Sequence, residues 1–396
     1  MHPERPVLII GAGVVGLTLA HGLANAGVPF EIFERDPSPV SRSQGWAITF
    51  HWCLPFLKTL LTPETLALVS DAQVDPEVAK NDTGNFLFLN LKTLEIKFKI
   101  PPNERRRVER QKFRQALLDD PRIGDRVQWG KRLANLQLLD DGDVKAVFQD
   151  GSHMEGHVLV GAEGSNSTTR KILAPDTHEL HPVDVKLIGA SVDMTPEQAQ
   201  PLRNIDPLLF QGCHPDTNSF LWVSTLATPE VHDNGMYKMQ VILSWPAPFG
   251  SQLPDDLPAE MKERARVFHP TLKNAVDLVT TAQEIPIQDW PCLPWSSNDG
   301  ATTLIGDAAH AMTMYRGEAA NHGILDAYHL TKGLVEVYND RQTRDTVIEA
   351  YEAEMRDRTA VAVGWSREAC VGAHDWDTLN ANSAVLRRRA VRESDA

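Results

Sequence analysis

The sequence predicts an α/β fold in which a buried parallel sheet with helical crossovers is interrupted by a second, strand-rich unit. Three observations carry this prediction. The chain opens on a strand, a glycine turn, a helix and a second strand; two later apolar strands also end in clusters of small residues; and long strand patterns dominate the stretch between those two.

Pro6 to Ile10 is a short continuous apolar run, as expected of a strand buried on both faces. GAGVVG follows, then LTLAHGLANAG with helical spacing and Gly27 placed as its C-cap. VPFEIF supplies a second strand ending at Glu34. Beyond Ser41 the pattern is irregular until Pro63 opens a short helix, PETLALVSDA. From Gly84 to Ile100 the alternation in NFLFLNLK and LEIKFKI predicts antiparallel strands with one wet face. ERRRVERQKFRQALLDD reads as a helix. QLLDDGDVKAVFQDGSHMEGHVLVGAEG reads as a meander turning at Asp141-Gly142 and Asp150-Gly151, closing on the buried strand HVLVG. From about 176 to 295, VDVKLIGASVDM, PLLFQG, SFLWVSTLA and MYKMQVILSW predict a second, strand-built core. ATTLI is then a buried strand running into GDAAHAMTMYRGEAANHGILDA, with helices to about 375 and a charged, exposed tail, VLRRRAVRESDA.

Charge and composition narrow the partners. A net charge of −14 argues against nucleic acid, which needs a basic face. The four cysteines (Cys53, Cys213, Cys292, Cys370) form no CxxC and no Cys/His cluster, so neither a disulfide framework, a structural zinc nor any other metal site is expected. MHPERPVLIIGAG has no cationic-then-apolar leader, and no apolar run approaches the roughly 18 to 20 residues of a membrane span. A soluble protein of the reducing cytoplasm is expected.

The chemistry sits at the strand ends. GAGVVG fits G-x-G-x-x-G at Gly11, Gly13 and Gly16, between a strand and a helix, with Glu34 about twenty residues on. Gly11 permits the tight turn, Gly13 lets backbone approach a pyrophosphate, and Gly16 lets helix and strand pack closely. The helix N-terminus offers N–H groups and partial positive charge to phosphates, and Glu34 is placed to accept from an adenosine ribose. This motif serves NAD and FAD alike. VLVGAEGSNSTTRKIL and the GDAAH stretch add two more junctions, and three together imply a long ligand gripped at several points.

With GAGVVG and Glu34, GAEGSNSTTR, GDAAH, VERQKFRQALL at Arg110 and the C-terminal AYEAEMRDR, the sequence resembles the class A flavoprotein monooxygenases, the family of p-hydroxybenzoate and salicylate hydroxylases. Its closest flavour is that of fungal natural-product tailoring enzymes. The resemblance implies a Rossmann-like FAD-binding domain (1–75, 104–175 and 296–345), an inserted mixed or antiparallel β-sheet substrate domain (76–103 and 176–295), and C-terminal helices with a tail (346–396). It implies that Glu34, beside Arg35, binds the adenosine ribose, that Arg110 meets the phosphate-ribityl region, and that Gly306-Asp307 meets ribityl or pyrophosphate oxygens. The backbone from Gly317 to Ala320 and Asn321 would meet the pyrimidine edge of the isoalloxazine. The GWAITF segment, with Gly45 and Ala47 and with Arg42 just before it, would run beside the ring and ribityl chain, and Gly161 to Arg170 would serve both the FAD pyrophosphate and a passing nicotinamide nucleotide. The implied chemistry is reduction of FAD by NADPH or NADH, addition of O₂ at C4a, and transfer of one oxygen from the hydroperoxyflavin. The implied substrate is a small hydrophobic aromatic, indole, polyketide or terpenoid, hydroxylated or epoxidised in secondary metabolism.

Three positions depart from the family pattern: Glu163 for aspartate, Met314 for proline and Ala319 for glycine. His310 and His322 read as packed residues, and no catalytic side chain is assigned. Trp46, Trp222 and Gln240 could line a substrate cavity, but each taken singly reads as packing. Alternatives are a flavin oxidase or a flavin halogenase, for which DWPCLPW is a poor substitute for WxWxIP. A non-catalytic prenyl-binding protein of related fold is a further alternative, but would not need Asp307 or Arg110.

Overall fold

Apolar runs from both ends of the chain meet in one parallel sheet. Its five strands lie in the order Thr302–Leu304, Val158–Gly161, Val7–Ile10, Phe30–Glu34 and Val127–Trp129, each parallel to the next. The protein is described by a computed structural model covering residues 5–41, 45–82, 84–100, 104–232 and 234–387. Double burial explains the unbroken apolar sequence of the first strand. Val7 and Ile9 pack into the helix layer, while Leu8 and Ile10 pack on the other side with Val144, Ala146 and Phe148. That other side is the meander, Leu133–Leu138, Val144–Phe148 and His153–Gly156, with Gly142 and Gly151 at positive φ in its Asp-Gly turns. The helix layer comprises Val14–Ala26, ended by Gly27 at φ 73°, together with the long helices Ala319–Tyr338 and Arg344–Gly372. The α/β class and the first strand-helix-strand unit are as the sequence predicts.

The second sheet has seven strands in the order Gln283–Glu284, Val185–Met194, Tyr237–Pro246, Phe220–Ala227, Leu209–Cys213, Phe86–Asn90 and Ile96–Ile100. All its pairs are antiparallel except Leu209–Cys213 with Phe86–Asn90. One face packs on the helices Pro196–Arg203, Leu257–Arg264 and Pro270–Asp277 through Leu202, Met261, Leu272 and Val276. The opposite face, with Leu187, Phe220 and Trp222, packs toward Tyr315 and the end of the Arg344–Gly372 helix.

Two expectations are corrected. Phe86–Asn90 has no wet face: Leu87 and Leu89 join the helix-covered core, while Phe86 and Phe88 join the core on the other side. The start of ERRRVERQKF is strand, Arg106–Glu109, paired antiparallel with Ala47–Phe50. The helix begins only at Arg110, where the Glu109 carboxylate caps the N–H groups of Gln111 and Lys112. Arg105 and Arg107, two apart, are both buried, a period-two signal that the polar composition hides. The short helices at Leu54–Leu60, Pro196–Arg203, Leu257–Arg264 and Pro270–Asp277 are further additions to the sequence reading. No helix among the described residues is long and apolar enough to cross a membrane. The tail beyond Arg387 lies outside the described residues.

A buried polar chain fastens the C-terminal segment to the second sheet. The Tyr315 hydroxyl donates to Ser244 Oγ at 2.8 Å, and Ser244 lies 2.8 Å from His374 Nε2. His374 Nδ1 must carry its proton, because its partner at 2.7 Å is the Cys370 carbonyl. Nε2 is then the acceptor, and the ring is neutral. Burial pushes His374 down to about 4, only partly opposed by that carbonyl. The folded value lies below the unfolded value of about 6.5, so the unfolded chain binds more protons between the two. Stability is therefore fully present above pH 6.5 and falls as pH drops toward 4, by on the order of 3 kcal/mol from this residue. Urea denaturation across that window should show the loss. His374→Gln should lower the slope by up to one proton, and an unchanged slope would contradict this account.

Candidate active site

The first turn shows why its glycines are needed. Gly11 donates its N–H to the Phe33 carbonyl and sits at φ 116°, where a Cβ would lie 2.5 Å from the Ala162 carbonyl oxygen. A Cβ on Gly16 would lie 2.2 Å from the Gly11 oxygen, so only glycine lets the Val14–Ala26 helix start against the turn. Gly13 caps that helix and has nothing within 4 Å of a built Cβ.

In front of this turn runs a cavity of about 350 Å³. Gly11, Gly13, Glu34, Arg35, Ala47, Arg110, Asp307 and Ala320 line it, all positions expected from the sequence. Glu34 is held in place, its carboxylate accepting from Ala12 N–H at 2.9 Å and Asp36 N–H at 3.0 Å. Arg114, Lys131 and Arg132 also line the cavity, so this −14 chain concentrates cations where phosphates are expected. A lining that brings together Glu34, the start of the Val14–Ala26 helix, Arg35, Arg110 and Lys131, and a second helix N-terminus at Ala319 fits a dinucleotide. Arg42 lies outside the described residues.

The Gly306-Asp307 junction is held from behind. Gly306, at φ 61°, donates its N–H to Asp326 Oδ2 at 3.0 Å, and His310 Nε2 reaches the same oxygen at 2.6 Å. Arg358 donates to Asp326 Oδ1 at 2.7 Å. Burial alone would raise the Asp326 carboxyl, but His310 and Arg358 together hold it well below the usual carboxylate range. The AYEAEMRDR segment thus braces the junction, and the Tyr351 hydroxyl also donates to the Leu304 carbonyl at 3.0 Å. His310 is fully buried in this network, in keeping with a packed role. Arg358 also donates to His322 Nδ1 at 2.8 Å, and burial, then Arg358, hold that ring well below its ordinary value and neutral. Asp307 itself faces the cavity, its carboxyl pushed up by burial against the opposing fields of His310, Arg110 and Arg170.

Some expected contacts are corrected. Asn321 is fully buried and does not line the cavity; its side chain accepts from His51 N–H and donates to the Thr49 and Gly317 carbonyls, locking strand to helix. Arg170 is buried too, donating to the carbonyls of Ser165, His178, Asp307 and Ala308 with Trp290 under its guanidinium. It joins loops and has no free face for a phosphate. Glu163 lines the cavity but turns its carboxylate onto Ser167, Thr168 and Thr169, at the start of the Thr168–Leu173 helix.

A second cavity of about 390 Å³ adjoins the first, and Trp46, Ala47, Ile48, Ala319 and Ala320 line both. Trp222 and Gln240, read singly as packing, line it with Trp46, as do Ile242, Met314 and Gly317. Trp46 reaches the second sheet at Gly189, where a Cβ would lie 2.8 Å from the indole. Sequence reasoning missed Arg107, which lines this chamber and donates to Thr49 Oγ1 at 2.9 Å and Ser224 Oγ at 2.7 Å. Its period-two relation to buried Arg105 is the signal that would have found it.

A parallel sheet with a dinucleotide turn, opening along one shared wall onto a mostly apolar chamber, defines a nucleotide-cofactor oxidoreductase. The chain belongs to the family described as an FAD binding domain, which matches residues 4–366. It is 38% identical over 418 residues to an Arthroderma benhamiae relative assigned to the FAD-dependent monooxygenases, covering 98% of this chain and 96% of that one. It is 35% identical over 383 residues to the FAD-dependent monooxygenase dbaB of Emericella nidulans, covering 93% and 96%. Klebsiella pneumoniae HpxO, solved with FAD and uric acid, shares the fold at a TM-score of 0.72 and 19% identity, over 95% of this chain and 90% of that one. FAD is the cofactor, and the enzyme class is FAD-dependent monooxygenase.

Asp326→Asn removes one of the two carboxylates that pair with Arg358, Glu354 being the other, and should destabilise the protein by about 1–3 kcal/mol. Chemical denaturation measures this directly; a loss under 1 kcal/mol would remove the bracing role.

Proposed function

We propose that the protein uses NADPH or NADH and O₂ to insert one oxygen atom into a small, electron-rich hydrophobic substrate, an aromatic, indole, polyketide or terpenoid, by hydroxylation or epoxidation in secondary metabolism. Two electrons from the nicotinamide and one proton from solvent balance the reaction, one oxygen atom entering the product and the other leaving as water. FAD, when bound, supplies the electron transfer and oxygen activation. The observation that carries this reading is the shared wall of Trp46, Ala47, Ile48, Ala319 and Ala320 between a cation-lined cavity and an apolar one. Among the described residues no Asp, Glu or His lines the second chamber, so its side chains hold the substrate and exclude water rather than exchange protons.

The chain's own contribution is positioning. Glu34, flanked by Arg35, serves the adenosine ribose, and the Val14–Ala26 helix start at Gly13 serves the pyrophosphate. Arg110 and Asp307 serve the phosphate-ribityl stretch, beside Ala47. The N-terminus of the Ala319–Tyr338 helix, reached through Gly317, offers Ala320 N–H dipoles that favour negative charge on the adjacent ring edge. Nothing favours the halogenase alternative: in DWPCLPW, Trp290 is fully buried and stacks on Trp295 in the core away from both cavities.

The test is oxygen incorporation. With ¹⁸O₂ and NADPH, a panel of phenols, indoles and prenylated polyketides should yield a product carrying one labelled oxygen atom. Oxidation of NADPH without labelled product across the panel would point to an oxidase instead. Asp307→Ala should weaken FAD binding by about tenfold or more, the effect of losing a hydrogen-bonding charged group. Full flavin occupancy in that variant would count against the assignment of Asp307.

A further inference from the structure

The second chamber holds an unbalanced charge. Arg107 is 4% exposed, and its hydrogen-bond partners are all neutral: Thr49 Oγ1, Ser224 Oγ, and, at 3.5 Å each, Gln240 Oε1 and the Thr225 carbonyl. No carboxylate of the described residues lines the chamber with it. Other buried arginines of this protein meet a carboxylate or a full set of backbone carbonyls: Arg105 grips Asp82 through two nitrogens, Arg316 pairs with Glu318, and Arg170 donates to four carbonyls with Glu163 and Asp307 nearby. An unpaired buried cation is unfavourable by several kcal/mol unless something supplies the counter-charge. Burial, then the neighbouring Arg105, push the Arg107 guanidinium down to about 9, which leaves it protonated at neutral pH.

The guanidinium is also held still. The Trp222 indole N–H donates to Ser224 Oγ at 3.1 Å, and the Ser224 hydroxyl donates to Gln240 Oε1 at 3.1 Å. Ser224 and Gln240 thereby present fixed acceptors to Arg107, whose guanidinium lies 5.8 Å from the centre of the Trp222 ring. Two of its hydrogen bonds are long, and a charged acceptor would displace them readily. FAD is not that acceptor by position, since Arg107 lines only the second chamber.

We propose that Arg107 is an anion subsite of the reaction chamber, so that the substrate carries an acidic oxygen, either a carboxylate or an ionised phenol or enol. That oxygen pairs with the guanidinium, while the apolar body lies along Trp222, Ile242 and Met314 toward the shared wall at Trp46. This inference rests on the monooxygenase reading for the identity of the chamber.

The test uses the full-length, FAD-loaded protein with 1-naphthoate, naphthalene-1-carboxamide and 1-naphthol as probes. Binding is followed by the flavin difference spectrum and by quenching of tryptophan fluorescence, to which Trp46 and Trp222 contribute. The wild type should bind naphthoate about tenfold or more tighter than the carboxamide, the margin of a charge-assisted over a neutral hydrogen bond. Arg107→Met should erase that margin with FAD content unchanged, and Arg107→Lys should keep part of it. Gln240→Leu, which leaves the charge in place, should keep the preference. Naphthol affinity that rises from neutral pH toward about 9, above which Arg107 loses its charge, identifies a phenolate site, whereas a flat profile beside tight naphthoate binding identifies a carboxylate site. If Arg107→Met fails to fold, the wild-type margin and the naphthol profile decide. A wild type that binds naphthoate and carboxamide alike, or neither, overturns the proposal, as does a margin that survives in folded Arg107→Met. A protein that takes up no FAD instead overturns the monooxygenase reading, and the fluorescence signal still scores the anion preference.

Discussion

The structure turns on one buried carboxylate. Asp326 accepts from the backbone of Gly306, from His310 and from Arg358, and has no solvent exposure. Removing a carboxylate from water costs several kcal/mol, recovered only when its oxygens are fully engaged by well-placed donors. Here the donors come from a strand end, a short helix and the long C-terminal helix, so the charge is stable only when all three are assembled. Because one donor is the N–H of Gly306, the same condition sets the turn that carries Asp307 into the nucleotide cavity. The geometry of that turn is thus fixed partly by Asp326 and Arg358, 20 and 52 positions beyond Gly306.

The two cavities show how one fold separates two kinds of binding. The first is built from backbone termini and cations at the ends of parallel strands, where every open α/β sheet concentrates N–H groups. The second is roofed by a sheet that buries both faces, so its lining is mostly apolar, and among the described residues Arg107 is its one cation. Their common wall is Trp46 to Ile48 with Ala319 and Ala320, and the strand Ala47–Phe50 that carries part of it is held by Arg106–Glu109 on one side and by the Asn321 side chain on the other. In the proposed reaction that wall needs rigidity more than reactivity, because a small displacement of one ligand relative to the other is enough to lose transfer.

What the sequence disclosed follows the range of the forces involved. The strand, turn, helix and acid from Val7 to Glu34 were legible because each is dictated by its own residues: apolar continuity, Gly11 and Gly16 contacts, and Gly27 at a left-handed C-cap. Glu34, Arg110 and Asp307 were legible as positions because they stand at element ends. Arg106–Glu109 was misread because a strand of charged residues carries no apolar alternation, and its pairing partner lies about sixty residues earlier. Arg107, Asn321 and Arg170 were obscure for a related reason. Their partners lie up to 133, 272 and 138 residues away, so the sequence shows a polar residue but not what holds it. Trp46, Trp222 and Gln240 are individually ordinary packing residues and acquire meaning only when folding places them around one space.

The departures at Met314 and Ala319 can be weighed in the same terms. A proline at 314 would preset φ and leave the carbonyl untouched, and that carbonyl is what closes the turn by accepting from Gly317 N–H at 2.9 Å. Methionine supplies the same carbonyl, so the turn does not depend on proline for its hydrogen bond. Its shape is held instead by what flanks it: Gly317 at φ 62°, Tyr315 buried on Ser244, and Arg316 paired with Glu318. Alanine at 319 likewise keeps a backbone N–H at the start of the helix and favours the helical state over glycine. Both substitutions therefore keep the backbone groups of the turn and helix start, while Met314 adds a flexible, polarisable side chain to the second chamber and Ala319 a methyl group to the wall that both cavities share. The departures thus change the shape of the second chamber and of its shared wall, not the hydrogen bonds of the turn.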